Sequence, residues 1–236
     1  MESYAFLKCP FTSTCIIPSF INSISLSCFE YSTNIKTIVF HSNIKSLNEN
    51  SFAHCISLEK IELPHSITSI GKGCFCYCDK LKEIYLSTNL KSISPKCFQD
   101  CTSLTLIKNI ECITSLNESC FENCVSLKSI HLSSQIKELP SNCFFNCINL
   151  SEITLPKLLI DIQSNCFYNC KSLIEIDLPS NLKSIQQKSF AFCINLEFIS
   201  IPRSLKIFGK DCFKNCDKIK DSIVVPNHCF NSYLSF

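Results

Sequence analysis

The sequence predicts a solenoid, a single array of 23-residue turns with a parallel β-sheet along one side. Three observations carry that expectation. The unit Cys166–Lys188, CFYNCKSLIEIDLPSNLKSIQQK, recurs one period earlier as CFFNCINLSEITLPKLLIDIQSN and one period later as SFAFCINLEFISIPRSLKIFGKD, and the same frame begins at Cys28, Ser51, Cys74, Cys97 and Cys120 without insertion or deletion. A fixed period in this range is the signature of stacked repeats. With the unit numbered 1 to 23, position 2 is Phe in every full repeat from Phe29 to Phe190, position 8 is Ile35 and then Leu from Leu58 to Leu196, and position 11 is Ile from Ile38 to Ile199. Finally, Ile176-Asp177-Leu178 and its equivalents alternate apolar and polar residues, which is strand periodicity.

In chain order, residues 1–27 form a worn repeat. Phe6, Cys9, Ile17, Pro18, Ile21 and Ile24 hold the register, while Thr12 and Cys15 replace the usual Leu and Ile. A first coil or N-terminal cap is expected there, because terminal repeats are atypical. Residues 28–211 make eight full units. In each, Cys166, Phe167 and Cys170 or their equivalents fall at i, i+1 and i+4 and suit one face of a helical turn. Asn50, Gly73, Ser119, Asn142, Asn165 and Asp211 at position 23 read as its N-caps. Positions 10–13 form the main strand, and Leu182–Ile185 and its equivalents form a second short extended segment. The repeat at 97–119 is irregular, since Asn109 takes a core position and Ile110 replaces Pro, so a local shift or bulge is expected. Residues 212–236 restart as CFKNCDKI, with Asp221 as a one-residue insertion, and the last ten residues are expected to fold over the open end. Left uncovered, that end strand would favour end-to-end association. No unit buries enough apolar surface to fold alone, so stability must be collective.

The pattern C-F-x-x-C-x-x-L-x-x-I-x-L-P-x-x-L-x-x-I resembles the BspA-like leucine-rich repeat, a 23-residue class of surface antigens from parasitic protists and host-associated bacteria. The resemblance runs from Ala5 to Cys216. It implies a curved, right-handed leucine-rich repeat solenoid with the parallel sheet on its inner face. It also implies cell-surface exposure, antigenicity and adhesion to host cells or matrix proteins, with no enzymatic residues to carry over. Repeat folds host many partners, so function has to be argued from the surface.

Composition narrows the options. The 236 residues carry a formal net charge of +2 with 18% charged residues, too little and too dispersed for a nucleic-acid binder. Three Gly cannot build a phosphate loop. The opening MESYAFLKCP reads as a poor signal peptide, no apolar run is long enough to span a membrane, and the ending CFNSYLSF matches no lipidation signal. Localisation therefore stays open between the surface life the resemblance implies and the cytoplasm. Two sequons, Asn117-Glu118-Ser119 and Asn149-Leu150-Ser151, matter only on export.

Of the 20 cysteines, most fall at positions 1 and 5. Two per repeat at core positions is what small buried hydrophobes give, so thiol ladders are expected. Disulfides within or between turns are the alternative, although an i, i+4 pair bridges poorly. Zinc is a further alternative, but no His recurs with the cysteines. Cys74, Cys76 and Cys78 are the densest group, with Cys76 the candidate exposed thiol. His41, His54, His65, His131 and His228 occupy unrelated positions and form no catalytic motif. Neither an enzyme nor a cofactor or metal site is expected.

Two columns are candidate surfaces. Positions 10 and 12 vary against the fixed frame: Lys60, Glu62, Glu83, Tyr85, Leu106, Lys108, His131, Glu152, Glu175, Asp177 and Phe198 are the candidate partner-binding residues. Tyr85, Leu106 and Phe198 would place apolar groups on a face meant for water, and Glu152, Glu175 and Asp177 would cluster as an acidic patch. Position 18 supplies Lys45, Lys91, Lys137, Lys183 and Lys206, a basic stripe suited to a sulfated glycan or anionic membrane, or simply a solvated guard of exposed strands. The expected function is non-enzymatic adhesion or antigen-type recognition of a host protein or glycan. The alternative is an intracellular protein–protein interaction scaffold.

Overall fold

The computed structural model describes residues 2–9, 13–41, 43–219 and 223–230. It is a parallel β-solenoid in which each coil adds one rung to two strand ladders. The odd-numbered strands form the main ladder: β1 (Thr14–Ile17), β3 (Thr37–Phe40), β5 (Lys60–Glu62), β7 (Glu83–Tyr85), β9 (Leu106–Lys108), β11 (Ser129–His131), β13 (Glu152–Thr154), β15 (Glu175–Asp177) and β17 (Phe198–Ser200). The even-numbered strands form the second: β2 (Ser23–Ile24), β4 (Ser46–Leu47), β6 (Ser69–Ile70), β8 (Ser92–Ile93), β10 (Ser115–Leu116), β12 (Glu138–Leu139), β14 (Asp161–Ile162), β16 (Ser184–Ile185) and β18 (Ile207–Phe208). Every pairing is parallel and steps by one repeat, as in Ile61↔Ile84 and Ile162↔Ile185.

The core follows the repeat. Position 2 rings stack from Phe6 to Phe213, with neighbouring centroids 5.1–5.7 Å apart and planes within 19°. The coil spacing dictates this, since strands about 4.8 Å apart bring identical side chains into register and a slight offset suits the ring quadrupoles. Positions 8, 17 and 20 complete the interior, as with Leu173, Leu182 and Ile185, each at 0% exposure.

Positions 23 to 5 correct the helical expectation. No helix forms there. Positions 23 and 4 instead adopt left-handed backbone, at Asn142 (φ 57°), Asn146 (58°), Asn165 (57°) and Asn169 (63°) for example. The two kinks turn alternate N–H groups toward the next coil, where Asn142, Phe144 and Asn146 donate to the carbonyls of Ser164, Cys166 and Tyr168. The Asn, Asp and Gly residues that resemble N-caps are there because they tolerate positive φ.

The irregular repeat behaves as expected of a local shift. Asn109 is left-handed (φ 63°), and a 3-10 turn, η1 (Ile110–Cys112), follows it. Asn109 Nδ2 donates to the Leu86 carbonyl at 2.8 Å. Here the main ladder breaks: β9 is the last strand of one five-stranded sheet, β11 pairs only with β13, and β15 only with β17.

At the C-terminal side Asp221 and residues 231–236 lie outside the described residues, as does Thr12 at the other end. The segment before them continues the stack. A 3-10 turn, η2 (Asn227–Cys229), places the His228 and Cys229 carbonyls to accept from Asp211 (2.8 Å) and Phe213 (2.7 Å), as Lys210 and Cys212 accept from Lys188 and Phe190 one coil earlier. Cys229-Phe230 is thus the Cys-Phe pair of a shortened coil, and the Phe230 ring lies 6.1 Å from Phe213. Its spacing of 17 residues rather than 23 from Cys212-Phe213 hides it from the period.

Candidate binding surface

Because positions 11 and 13 point into the core, positions 10 and 12 point out of the main ladder. In β5, β11, β13 and β15 the pattern is exposed–buried–exposed, so Lys60, Glu62, His131, Glu152, Glu175 and Asp177 all face solvent. Lys108 is exposed on β9, whereas Glu83, Tyr85 and Leu106 are half-buried. Phe198 is 63% exposed.

Most of these residues fall into overlapping groups along the face. Lys60 Nζ pairs with Glu62 Oε1 at 2.8 Å and sits 4.6 Å from the Tyr85 ring centre, while the Tyr85 hydroxyl donates to Glu83 Oε2 at 3.4 Å. The Glu62 contact holds the Lys60 pKa above its ordinary value. In the middle, His131 Nδ1 lies 3.2 Å from Thr154 Oγ1 and Nε2 lies 3.8 Å from Glu152 Oε1. Glu152, Glu175 and Asp177 line one groove with Thr154, at the interruption between β13 and β15. Leu106, Lys108, Glu111 and His131 line another at the interruption between β9 and β11. Both interruptions of the sheet thus carry a recess in the candidate face, and further recesses lie over the paired strands β3/β5 and β15/β17. Asn109 signals the first interruption; nothing in the sequence signals the second.

The strand face also extends further than the eight full repeats suggest. Ile16 on β1 is 59% exposed and lies beside Val39, 39% exposed, on β3. The worn register of residues 1–27 concealed Ile16, although its place between Cys15 and Ile17 marks it as position 12. The five lysines of the second column, Lys45, Lys91, Lys137, Lys183 and Lys206, are all exposed and precede the second-ladder strands.

Elsewhere the side chains serve the stack. The described residues contain no cluster of three or more His, Cys, Asp or Glu able to hold a metal. All 20 cysteines are free thiols, and only Cys9 and Cys112 are even half-exposed. Cys76, expected to be the exposed thiol, is buried at 8% exposure, because position 3 packs beneath the turn beside Gly73. Burial raises the thiol pKa of Cys55 from its ordinary 9.0 to about 12 and that of Cys76 to about 11, which suppresses the reactive thiolate. Position 5 thiols tie one coil to the one before it. Cys101, Cys124, Cys147 and Cys170 donate to the carbonyls of Phe75, Phe98, Phe121 and Phe144 at 3.1–3.3 Å. At position 4, His54 lies stacked between Tyr31 and Tyr77, with centroids 4.2 and 4.5 Å away. Further along, Asn169, Asn146 and Asn123 pass hydrogen bonds down to Asp100 at 2.6–2.9 Å. The sequon residue Asn117 spends its amide on Ser92 and Ile93, and Asn149 donates to the Val125 carbonyl.

The described residues include no helix long and apolar enough to cross a membrane. No curated protein matches the chain. Among solved structures, it is similar to a leucine rich cell surface protein from Faecalibacterium prausnitzii, at 25% identity and a TM-score of 0.57, covering 86% of this chain and 63% of that one. It is also similar to a leucine rich repeat protein from T. pallidum, at 23% identity and a TM-score of 0.56, covering 89% and 78%. A family model described as a BspA type leucine rich repeat region in six copies matches residues 1–128 and 114–233. With both halves matched and the stacked parallel coils in place, the chain belongs to the BspA type leucine rich repeat family.

Proposed function

We propose that the protein is a non-enzymatic binding protein that recognises a host protein or glycan at the cell surface through the main strand face. The observation that carries this is the contrast between columns. Core positions repeat coil after coil, whereas position 12 changes at every rung and position 10 at most of them, and the two keep Phe198, Ile16 and Val39 in water. Large exposed apolar groups rimmed by polar ones are the composition of an interaction site. The name of the similar F. prausnitzii protein supports the cell-surface assignment. The test is adhesion of the purified protein to cultured epithelial cells and to plates coated with extracellular matrix protein. Charge reversal at Glu152→Lys, Glu175→Lys and Asp177→Lys should lower binding at least about tenfold, as loss of interface hot spots does. Unchanged binding would remove the acidic groove from the site.

The thiols favour a second assignment, an intracellular scaffold that docks a protein partner on the same face. Every position 5 thiol that donates to a carbonyl must be reduced to do so, and reduced thiols persist in reducing compartments. Alkylation of protein taken directly from its natural source, followed by intact mass, separates the two: 20 modified cysteines after denaturation support the scaffold, and protected cysteines support export.

A further inference from the structure

We infer that the position 18 lysines form a second, independent binding site for a linear sulfated polysaccharide lying along the solenoid axis. Lys45, Lys91, Lys137 and Lys183 recur every second coil, and Lys206 extends the row by one. Backbone bonds fix the column: Ile160 N–H donates to the Lys137 carbonyl, Lys183 to Ile160, and Lys206 to Lys183, at 2.7–3.0 Å. Thr68 and Thr114 fill the alternate coils nearer the N-terminus and donate to the carbonyls of Lys45 and Lys91. With coils about 4.8 Å apart, the alternating lysines stand about 10 Å from one another and the row runs about 34 Å.

Three features select the ligand. None of the five ammonium groups makes an ion pair among the described residues. Lys45, Lys91, Lys137 and Lys183 are separated by more than the Debye length of about 8 Å at physiological salt, so they repel one another weakly, while Lys183 and Lys206 on adjacent coils concentrate charge at one end, and a polyanion spanning the row meets all five. The spacing is close to the length of a disaccharide, so a glycan sulfated once per disaccharide keeps register along the column. Position 19 adds acids only at Glu138 and Asp161, and the Asp161 carboxylate already accepts from Ser184 Oγ and Gln186 Nε2. The row contains no aromatic residue on which a base could stack. Its exposed apolar neighbours, Leu158, Ile160 and Ile207, gather at one end, whereas a membrane-inserting face would need them along its length.

The site lies beside the second ladder and shares no residue with the main strand face, so its test is separate from the adhesion test above. Heparin binding by the full chain is measured by calorimetry and by salt elution from immobilised heparin. The triple variant Lys91→Gln, Lys137→Gln, Lys183→Gln is compared with a control of equal charge, Lys80→Gln, Lys128→Gln, Lys171→Gln. The expected result is a loss of roughly tenfold or more in affinity for the stripe variant, a salt dependence shallower by about one per lysine removed, and little change for the control. Equal losses in both variants, no heparin binding at physiological salt, or binding of desulfated heparin, phosphatidylserine vesicles or duplex DNA as tight as that of heparin would overturn the proposal.

Discussion

At position 5 each thiol reaches 26 residues back to a Phe carbonyl, from Cys55 to Phe29 through Cys216 to Phe190. The first full repeat carries Ser32 there, and its hydroxyl donates to the Phe6 carbonyl at 3.0 Å. The column therefore selects a small side chain with a hydrogen-bond donor, and sulfur additionally fills space. Cys124→Ser should keep the bond and most of the stability. Cys124→Val should leave the Phe98 carbonyl without its cross-coil donor and cost about 1–3 kcal/mol, measurable as a shift in the urea midpoint. The same burial sets a pH limit. Cys15 and Cys55 have thiols pushed from 9.0 to about 12, so above pH 9 the unfolded chain loses protons that the folded one retains. Stability contributed by these groups is complete below pH 9 and falls as pH rises toward 12. Melting followed by circular dichroism should show a lower Tm at pH 10 than at pH 7, and replacing Cys55 with Ser should reduce that difference.

Among the elements, the strands and their faces were legible in the sequence because apolar residues recur at positions 11 and 13 around a variable position 12, the period of two of a strand, coil after coil. The turn at positions 23 to 5 was not, because Asn, Asp and Ser serve N-caps and left-handed corners alike, and only the direction of the N–H groups distinguishes them. The groove between β13 and β15 was also hidden, as its repeats keep every core residue. The break after β9 was visible in Asn109 and Ile110, and it is the element most open to repair. Asn109→Leu with Ile110→Pro restores the regular repeat and should bring β9 and β11 into register, seen as new amide-exchange protection at Ser129–His131. Close coil packing limits other changes. A Cβ on Gly209 would lie 2.2–2.8 Å from the backbone of Gln186 and Gln187, so Gly209→Ala should destabilise by about 1–3 kcal/mol.

The whole molecule divides frame from surface. The Phe stack, the thiols and the position 8 and 17 aliphatics form a frame that each coil shares with its neighbours, so stability is a sum over interfaces. Removing one central ring, as in Phe121→Ala, should cost about 3–5 kcal/mol. The residues that vary are spent on the outside. Ile16, Val39, Tyr85, Leu106 and Phe198 bring apolar surface to a face that the frame does not need. The most direct measurement is flow cytometry of fluorescently labelled protein on cultured epithelial cells. It compares the triple variant Tyr85→Ser, Leu106→Ser, Phe198→Ser with a control, Ile56→Ser, Leu158→Ser, Ile194→Ser, which removes exposed apolar residues off that face. Recognition through the main strands predicts that the first variant loses at least about tenfold in binding while the control binds as the unaltered chain does. Full binding by the first variant, with its fold intact by circular dichroism, would contradict recognition through that face.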